Sequence, residues 1–194
     1  MAPRDVAPTV TAAMRGVSAP RVRLRPTLAS DIGYVVSLEQ DPDNLPFITP
    51  WERTQHEAAI RFPDFRHFVI EAGADFSAAG FAILIGCRSP HQALELKRMV
   101  VQVKGQGTGR SALRVLKRIA FDDLGAHRFW LDVKALNGRA RALYEREGFV
   151  QEGVLREAVK VGARTPSGFD SLVVMALLRP EYEARRAQGL ELPA

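Results

Sequence analysis

The sequence predicts an α+β fold: a mixed, mostly antiparallel central sheet of about six to seven strands with helices packed on it. Two observations predict it. Three strand-like runs follow one another across turn residues, the signature of an antiparallel meander. A strongly periodic helix then intervenes before the next strand, and such a crossover makes that strand parallel to the one before it. No internal repeat or long linker follows residue 20, so the elements are expected to share one sheet and one core.

In chain order, residues 1–20 are rich in Ala, Pro, Thr and Val without periodicity and read as a flexible leader before a domain at 21–188 and a tail at 189–194. Residues 22–25 alternate apolar and charged side chains, as an edge strand does. Ser30 or Asp31 is placed to cap a helix running to about Glu39. A Pro-rich stretch at 42–51 precedes a short helix over 54–61, where Thr54 and Glu57 fit a capping box. The meander runs are 68–71, 81–87 and 94–101, separated by Gly, Ser and Pro. Ala112, Leu113, Leu116, Ala120 and Leu124 form the apolar stripe of a helix over 111–124, which Gly125 ends. In 127–133, Phe129, Leu131 and Val133 alternate with Trp130 and Asp132, a strand. Asn137 and Gly148 bracket a helix at 138–146, strands at 149–155 and 171–178 complete the sheet, and a charged helix starts near Pro180.

Composition narrows the function classes. The 194 residues are 46% hydrophobic and 25% charged, ordinary for a globular domain. The single Cys87 forms no internal disulfide and lies in an apolar run. No apolar stretch reaches the roughly 18 residues that span a bilayer, and the first twenty residues lack the apolar centre of a secretion signal, so a cytoplasmic protein without a membrane partner is expected. The net charge of +5 permits an anionic ligand. Arg110, Arg114 and Lys117 share a helical face that reads as solvated surface, and without interleaved aromatics nucleic acid is not the expected partner. His56, His67, His91 and His127 have no paired ligand spacing, so no metal is expected.

The segment Lys104-Gly105-Gln106-Gly107-Thr108-Gly109-Arg110 lies between a strand and the most periodic helix. Alternate glycines let backbone N–H groups converge, and the unpaired amides of a helix start carry about half a positive charge. A pyrophosphate suits such a turn, with Lys104 and Arg110 adding charge. Two other phosphate motifs fail here. A nucleoside-triphosphate loop ends in Gly-Lys-Ser/Thr, whereas Lys104 precedes the glycines. A dinucleotide fingerprint needs a different third glycine and strand-helix-strand units at its start, and this chain opens with a meander.

These residues resemble motif A of the GNAT acetyltransferase superfamily, in which Arg or Gln, two variable residues, Gly, one variable residue and Gly or Ala follow in order; Lys104, Gly107 and Gly109 take the defined places. Trp130-Leu131-Asp132-Val133, Asn137, Arg139, Ala140, Arg141, Leu143-Tyr144-Glu145 and Gly148-Phe149 match in the expected order. The similarity runs over about 22–178 and resembles the branch of ribosomal-protein alanine N-acetyltransferases. Lys104 departs from the pattern, keeping the charge without a bidentate fork. The resemblance implies a GNAT fold whose fourth and fifth strands splay, with acyl-CoA in the opening against the backbone of Met99, Val100 and Val101. It further implies cofactor contact by Asn137, a place for Tyr144 beside the sulfur, and acetyl-CoA as co-substrate.

The reaction expected is direct attack of a primary amine, from a small molecule or a protein N-terminus, on the thioester. A phenol stays protonated at neutral pH and can hydrogen-bond a departing thiolate, which is the role expected for Tyr144; Asn137, seven residues earlier, lies on the same helix side. Glu95 is the candidate base, on the strand expected to border the amine, with pairing to Lys97 as its other reading. Phe47 and Trp51 are candidate acceptor walls, or packing. A homodimer is compatible with the sequence. The alternative to an enzyme is a catalytically silent acyl-CoA sensor with the same cofactor residues.

Overall fold

The computed structural model describes residues 20–192, so nearly all of the expected leader and the last two residues of the tail lie outside the described residues. Strands β1 (Val22–Pro26), β2 (Phe65–Ala72), β3 (Ser77–Ile85), β4 (Ala93–Val101), β5 (Arg128–Lys134), β6 (Val150–Lys160) and β7 (Phe169–Leu178) form one sheet in the order β1-β2-β3-β4-β5-β7-β6. The helices are α1 (Ile32–Gln40), α2 (Arg53–Ala59), α3 (Thr108–Arg118), α4 (Gly138–Arg146) and α5 (Arg179–Ala187). β4 and β5 run parallel and the other neighbours antiparallel, as the crossover through α3 requires.

The period of two along β3 divides the core. Ala82 and Leu84 face a cluster with Leu113 and Leu116 of α3, Tyr144 of α4 and Tyr182 of α5. Phe81 and Ile83 face the opposite layer, with Val35 and Leu38 of α1. Among the described residues, no helix is long and apolar enough to cross a membrane.

Several boundaries differ from expectation for local reasons. β3 begins at Ser77 although Ser-Ala-Ala-Gly reads as a turn, because Gly80 admits a close approach of β4: a Cβ there would lie 2.2 Å from the Val100 carbonyl oxygen. α2 is capped two residues earlier than Thr54 and Glu57 suggest, at Glu52, with Gln55 Oε1 accepting from the Glu52 N–H at 2.8 Å. α3 starts at Thr108, directly on the glycine turn, and passes through a π-helical turn at Ile119–Asp123 before Gly125, at φ +67°, ends it. At the C-terminus Glu191 packs back into the domain: its carboxylate is buried against Lys117 and Arg185, so the expected tail is in part anchored.

Candidate functional site: a fork in the sheet

β4 and β5 pair only from Ala93 opposite Arg128 to Glu95 opposite Trp130; beyond these residues the strands part. The parting coincides with a bulge. On the other edge of β4, Ile83 faces Arg98 and Leu84 faces Leu96, which leaves Lys97 as the extra residue. A bulge bends its strand and increases its twist, which is what opens a wedge here. Met99, Val100 and Val101 lie on β4 past the fork and line a cavity of about 370 Å³.

The glycine turn closes one end of this cavity. Gly105 and Gly107 sit at φ +82° and +83°, the left-handed region that only glycine enters at little cost. Gly109 is different: its backbone is ordinary helix, and an added Cβ would meet Leu143 and Val101 at 3.8 Å, normal contact distance. The packing of the protein itself does not require a glycine there. The N–H groups of Thr108, Gly109 and Arg110 have no hydrogen-bond partner among the described residues and form the anion-attracting start of α3.

Of the sequence candidates for the cofactor, Met99, Val100, Val101, Lys104, Gly105, Gly107, Thr108, Gly109, Arg110 and Asn137 line this cavity; Gln106 does not. Asn137 also caps α4, its Oδ1 accepting from the Ala140 N–H at 3.1 Å, which leaves its side-chain N–H2 group for the cavity. Arg110 is a partial exception, because its Nε lies 2.6 Å from Glu147 and its charge is shared with that carboxylate. Sequence reasoning missed Arg139 and Arg146 on the same wall, for which no acidic partner is found among the described residues. Their spacing of seven on α4 was the available signal.

A second cavity of about 440 Å³ lies on the other side of the fork, lined by Trp51, Lys97, Arg98, Asp132 and Lys134 among others. Phe47, Met99, Asn137 and Tyr144 line both cavities. Tyr144 is nearly buried at 8% exposure, and its hydroxyl has no hydrogen-bond partner among the described residues. Burial pushes its phenol up to about 12, and the charge of Asp132 adds to the effect. The group is therefore a protonated donor at any physiological pH, placed where the two cavities meet.

Glu95 does not reach this point. It stands at the last paired position before the fork, lines neither cavity, and its carboxylate holds Lys97 at 3.1 Å. The carboxylate the structure brings near Tyr144 is Asp132, on β5 past the fork. The available signal was its place on the polar face of β5, between Trp130 and Lys134.

Phe47 and Trp51 line the second cavity, and Trp51 is also packed: its ring lies 5.3 Å from that of His56, and the Arg98 guanidinium stands 5.0 Å over it. Arg98 bonds the buried Glu39 carboxylate and, at 2.8 Å, the Thr49 carbonyl, while Glu39 accepts from the Trp51 N–H at 2.6 Å. This latch fixes the 49–51 segment against β4. Burial pushes the Glu39 carboxyl up, but hydrogen bonding to His56 and the Arg98 charge outweigh it and hold the group below the usual range.

The basic face of α3 is not the solvated surface the sequence suggests, because its charges are drawn onto one buried carboxylate. Arg110, Arg114 and Lys117 converge on Glu147 at 2.6, 3.1 and 3.0 Å, and both Lys117 and Glu147 are fully buried.

A profile of the acetyltransferase (GNAT) domain family matches residues 21–150, well over half of the chain. The spermidine N(1)-acetyltransferase of Escherichia coli (strain K12) is 27% identical over 178 residues, covering 86% of this chain and 91% of that one. Among solved structures, the Vibrio cholerae spermidine N-acetyltransferase in complex with CoA and spermine superposes with a TM-score of 0.74 at 24% identity, covering 84% of this chain and 98% of that one. A dodecameric structure of the spermidine N-acetyltransferase from Vibrio cholerae superposes with a TM-score of 0.70 at 23% identity, covering 84% and 97%. With its forked sheet, glycine turn and family match, the chain belongs to the GNAT acetyltransferase family.

Proposed function

We propose that this chain transfers the acetyl group of acetyl-CoA to a primary amine of a small molecule by direct attack of the amine on the thioester. The observation that carries this reading is the free Tyr144 hydroxyl at the fork, between a cavity with a phosphate-attracting end and a second cavity open to an acceptor. In this reading the pyrophosphate sits on the N–H groups of Thr108, Gly109 and Arg110, with Lys104, Arg139 and Arg146 supplying positive charge. The pantetheine arm follows the backbone of Met99 to Val101.

At the fork the amine nitrogen bonds to the acyl carbon as the carbon–sulfur bond breaks. Asp132 receives the hydrogen bond of the amine and passes its proton to solvent through the open cleft. Tyr144 donates a hydrogen bond to the departing sulfur. A phenol near 12 is a weaker acid than a thiol near 8.5, so its contribution is chiefly stabilisation of the thiolate as charge develops, with the sulfur's final proton drawn from solvent.

The spermidine-acetylating relatives support a small-molecule acceptor over a protein N-terminus, and they do not single out the ribosomal-protein alanine branch. The CoA in the solved relative supports acetyl-CoA as co-substrate. The dodecameric relative supports self-association, and exposed Val150, Val154 and Leu155 on the edge strand β6 suit it.

Titration with acetyl-CoA followed by thiol release across an amine panel tests the reading. Saturable binding with amine-dependent release is expected. Binding without release from any amine would leave a sensor module instead. Gly109→Val is the better probe of the turn than a change at Gly107, where the positive φ would strain any side chain.

A further inference from the structure

The acceptor cavity holds an unusual pair of charges. Asp132 and Lys134 are two residues apart on β5, hence on one face of the strand and about 7 Å apart along it. Both lie past the fork and line the cavity. Asp132 has no ion-pair or hydrogen-bond partner among the described residues. Lys134 is 8% exposed, yet its ammonium meets only the Pro46 carbonyl, at 3.2 Å, and no carboxylate lies within ion-pair distance among the described residues. Its three donors are therefore served by one acceptor, and burial holds its pKa below the usual lysine value.

The other cations of the cavity differ, because Arg98 is neutralised by Glu39 and Lys97 is held by Glu95. What remains without an ion-pair partner is one negative group, Asp132, and one positive group, Lys134, on which the more distant charges of Arg164 and Asp170 act in opposite senses. A buried ammonium without an anion is costly unless a ligand supplies one.

Resting on the acetyl-transfer reading, we propose that the acceptor is a small zwitterion carrying a primary amine and a carboxylate, with its amine directed to Asp132 and Tyr144 and its carboxylate to Lys134. Both charges rise from one face of β5 into the same cavity, so the amine and the carboxylate of one small molecule can be met there by charge-assisted hydrogen bonds. An α-amino acid is the simplest such molecule. A polyamine is mismatched: once one amine reaches Asp132, its remaining ammonium groups lie near Lys134 and Arg98 without a counter-charge. The cleft thus sets this chain apart from the acceptor named for its relatives.

The test compares matched acceptors by thiol release: α-amino acids, their amides, the corresponding decarboxylated amines, an aminophosphonate, and spermidine. The wild-type protein is expected to lose at least about 100-fold in kcat/KM when the carboxylate is replaced by an amide or removed. Retention of activity by the aminophosphonate would extend the site from carboxylates to anions generally, and its loss would confine it to carboxylates; either supports the proposal. Lys134→Met should collapse the preference to within a few-fold by lowering only the zwitterion rates, and Lys134→Glu should turn it toward spermidine. CoA affinity, measured by titration, reports whether each variant is folded, and the wild-type comparison stands if neither is. Equal or better turnover of spermidine or of the decarboxylated amines by the wild-type protein overturns this assignment while leaving acetyl transfer intact. A preference unchanged in folded Lys134→Met also overturns it. No turnover of any amine overturns the acetyl-transfer reading, and this assignment with it.

Discussion

Two groups of polar side chains in this protein behave in opposite ways. Behind α3, Glu147 is met by Arg110, Arg114 and Lys117, and Lys117 in turn meets Glu191, so the charges within that cluster are answered. At the fork, Tyr144 and Asp132 have no partner among the described residues, and Lys134 has one carbonyl. The first cluster ties α3, α4 and the C-terminal segment together. The second is held open by strands that have stopped pairing. A charge whose partner is another element of the fold is scaffold, and a charge left facing a cavity awaits a ligand.

The comparison breaks most visibly if the first cluster is cut. Lys117→Met leaves Glu147 and Glu191 buried without their shared cation and should cost about 3–5 kcal/mol in urea unfolding. The molecules that remain folded should bind acetyl-CoA with little change. A loss below about 1 kcal/mol would place this cluster with the surface pairs.

Asp132→Asn should do the reverse, lowering kcat/KM about 100-fold, about 2.7 kcal/mol in the transition state, with unfolding free energy within about 0.5 kcal/mol of wild type. A large stability loss would return Asp132 to the scaffold.

A third buried set sits behind the wall of the cleft, where His67 Nε2 lies 3.1 Å from His56 Nδ1 and His67 Nδ1 lies 2.9 Å from the Thr27 hydroxyl. Burial pushes His67 down to about 4, with the charge of His56 adding to the effect. Between the ordinary value of about 6.5 and that value, the unfolded chain binds a proton that the folded one does not. Stability is therefore full above the window and falls as pH drops through it, by up to ~1.4 kcal/mol per unit. Unfolding curves from pH 7 to 5 should show this slope, and His67→Leu should flatten it.

The smallest effect expected is at the turn. Gly109→Ala places a methyl group at ordinary contact distance from Leu143, so the fold should hold while acetyl-CoA binding weakens about fivefold, about 1 kcal/mol. Unchanged affinity by calorimetry would separate the turn from the cofactor.

The contrast also explains what could be read before folding. The antiparallel meander, the parallel β4–β5 pair and the glycine turn follow from local periodicity and turn chemistry and are legible in the sequence, whereas the place of β7 between β5 and β6 is not. Which charged side chains face the second cavity is not legible either. Glu95 and Asp132 look alike as polar residues in alternating strands, and they part company only because pairing ends at Glu95 and the bulge falls at Lys97. Lys117 reads as exposed on its helical face until α4 brings Glu147 over it. Each of these is a contact between elements distant in sequence, which no spacing rule contains.

The most direct test of the account is Tyr144→Phe, which removes one oxygen from the meeting point of the two cavities. Its single-turnover rate with saturating acetyl-CoA and acceptor should fall about 100-fold or more, while CoA affinity stays within about twofold and the folded state is retained. A rate unchanged from wild type, with chemistry limiting, would contradict the role given to the fork.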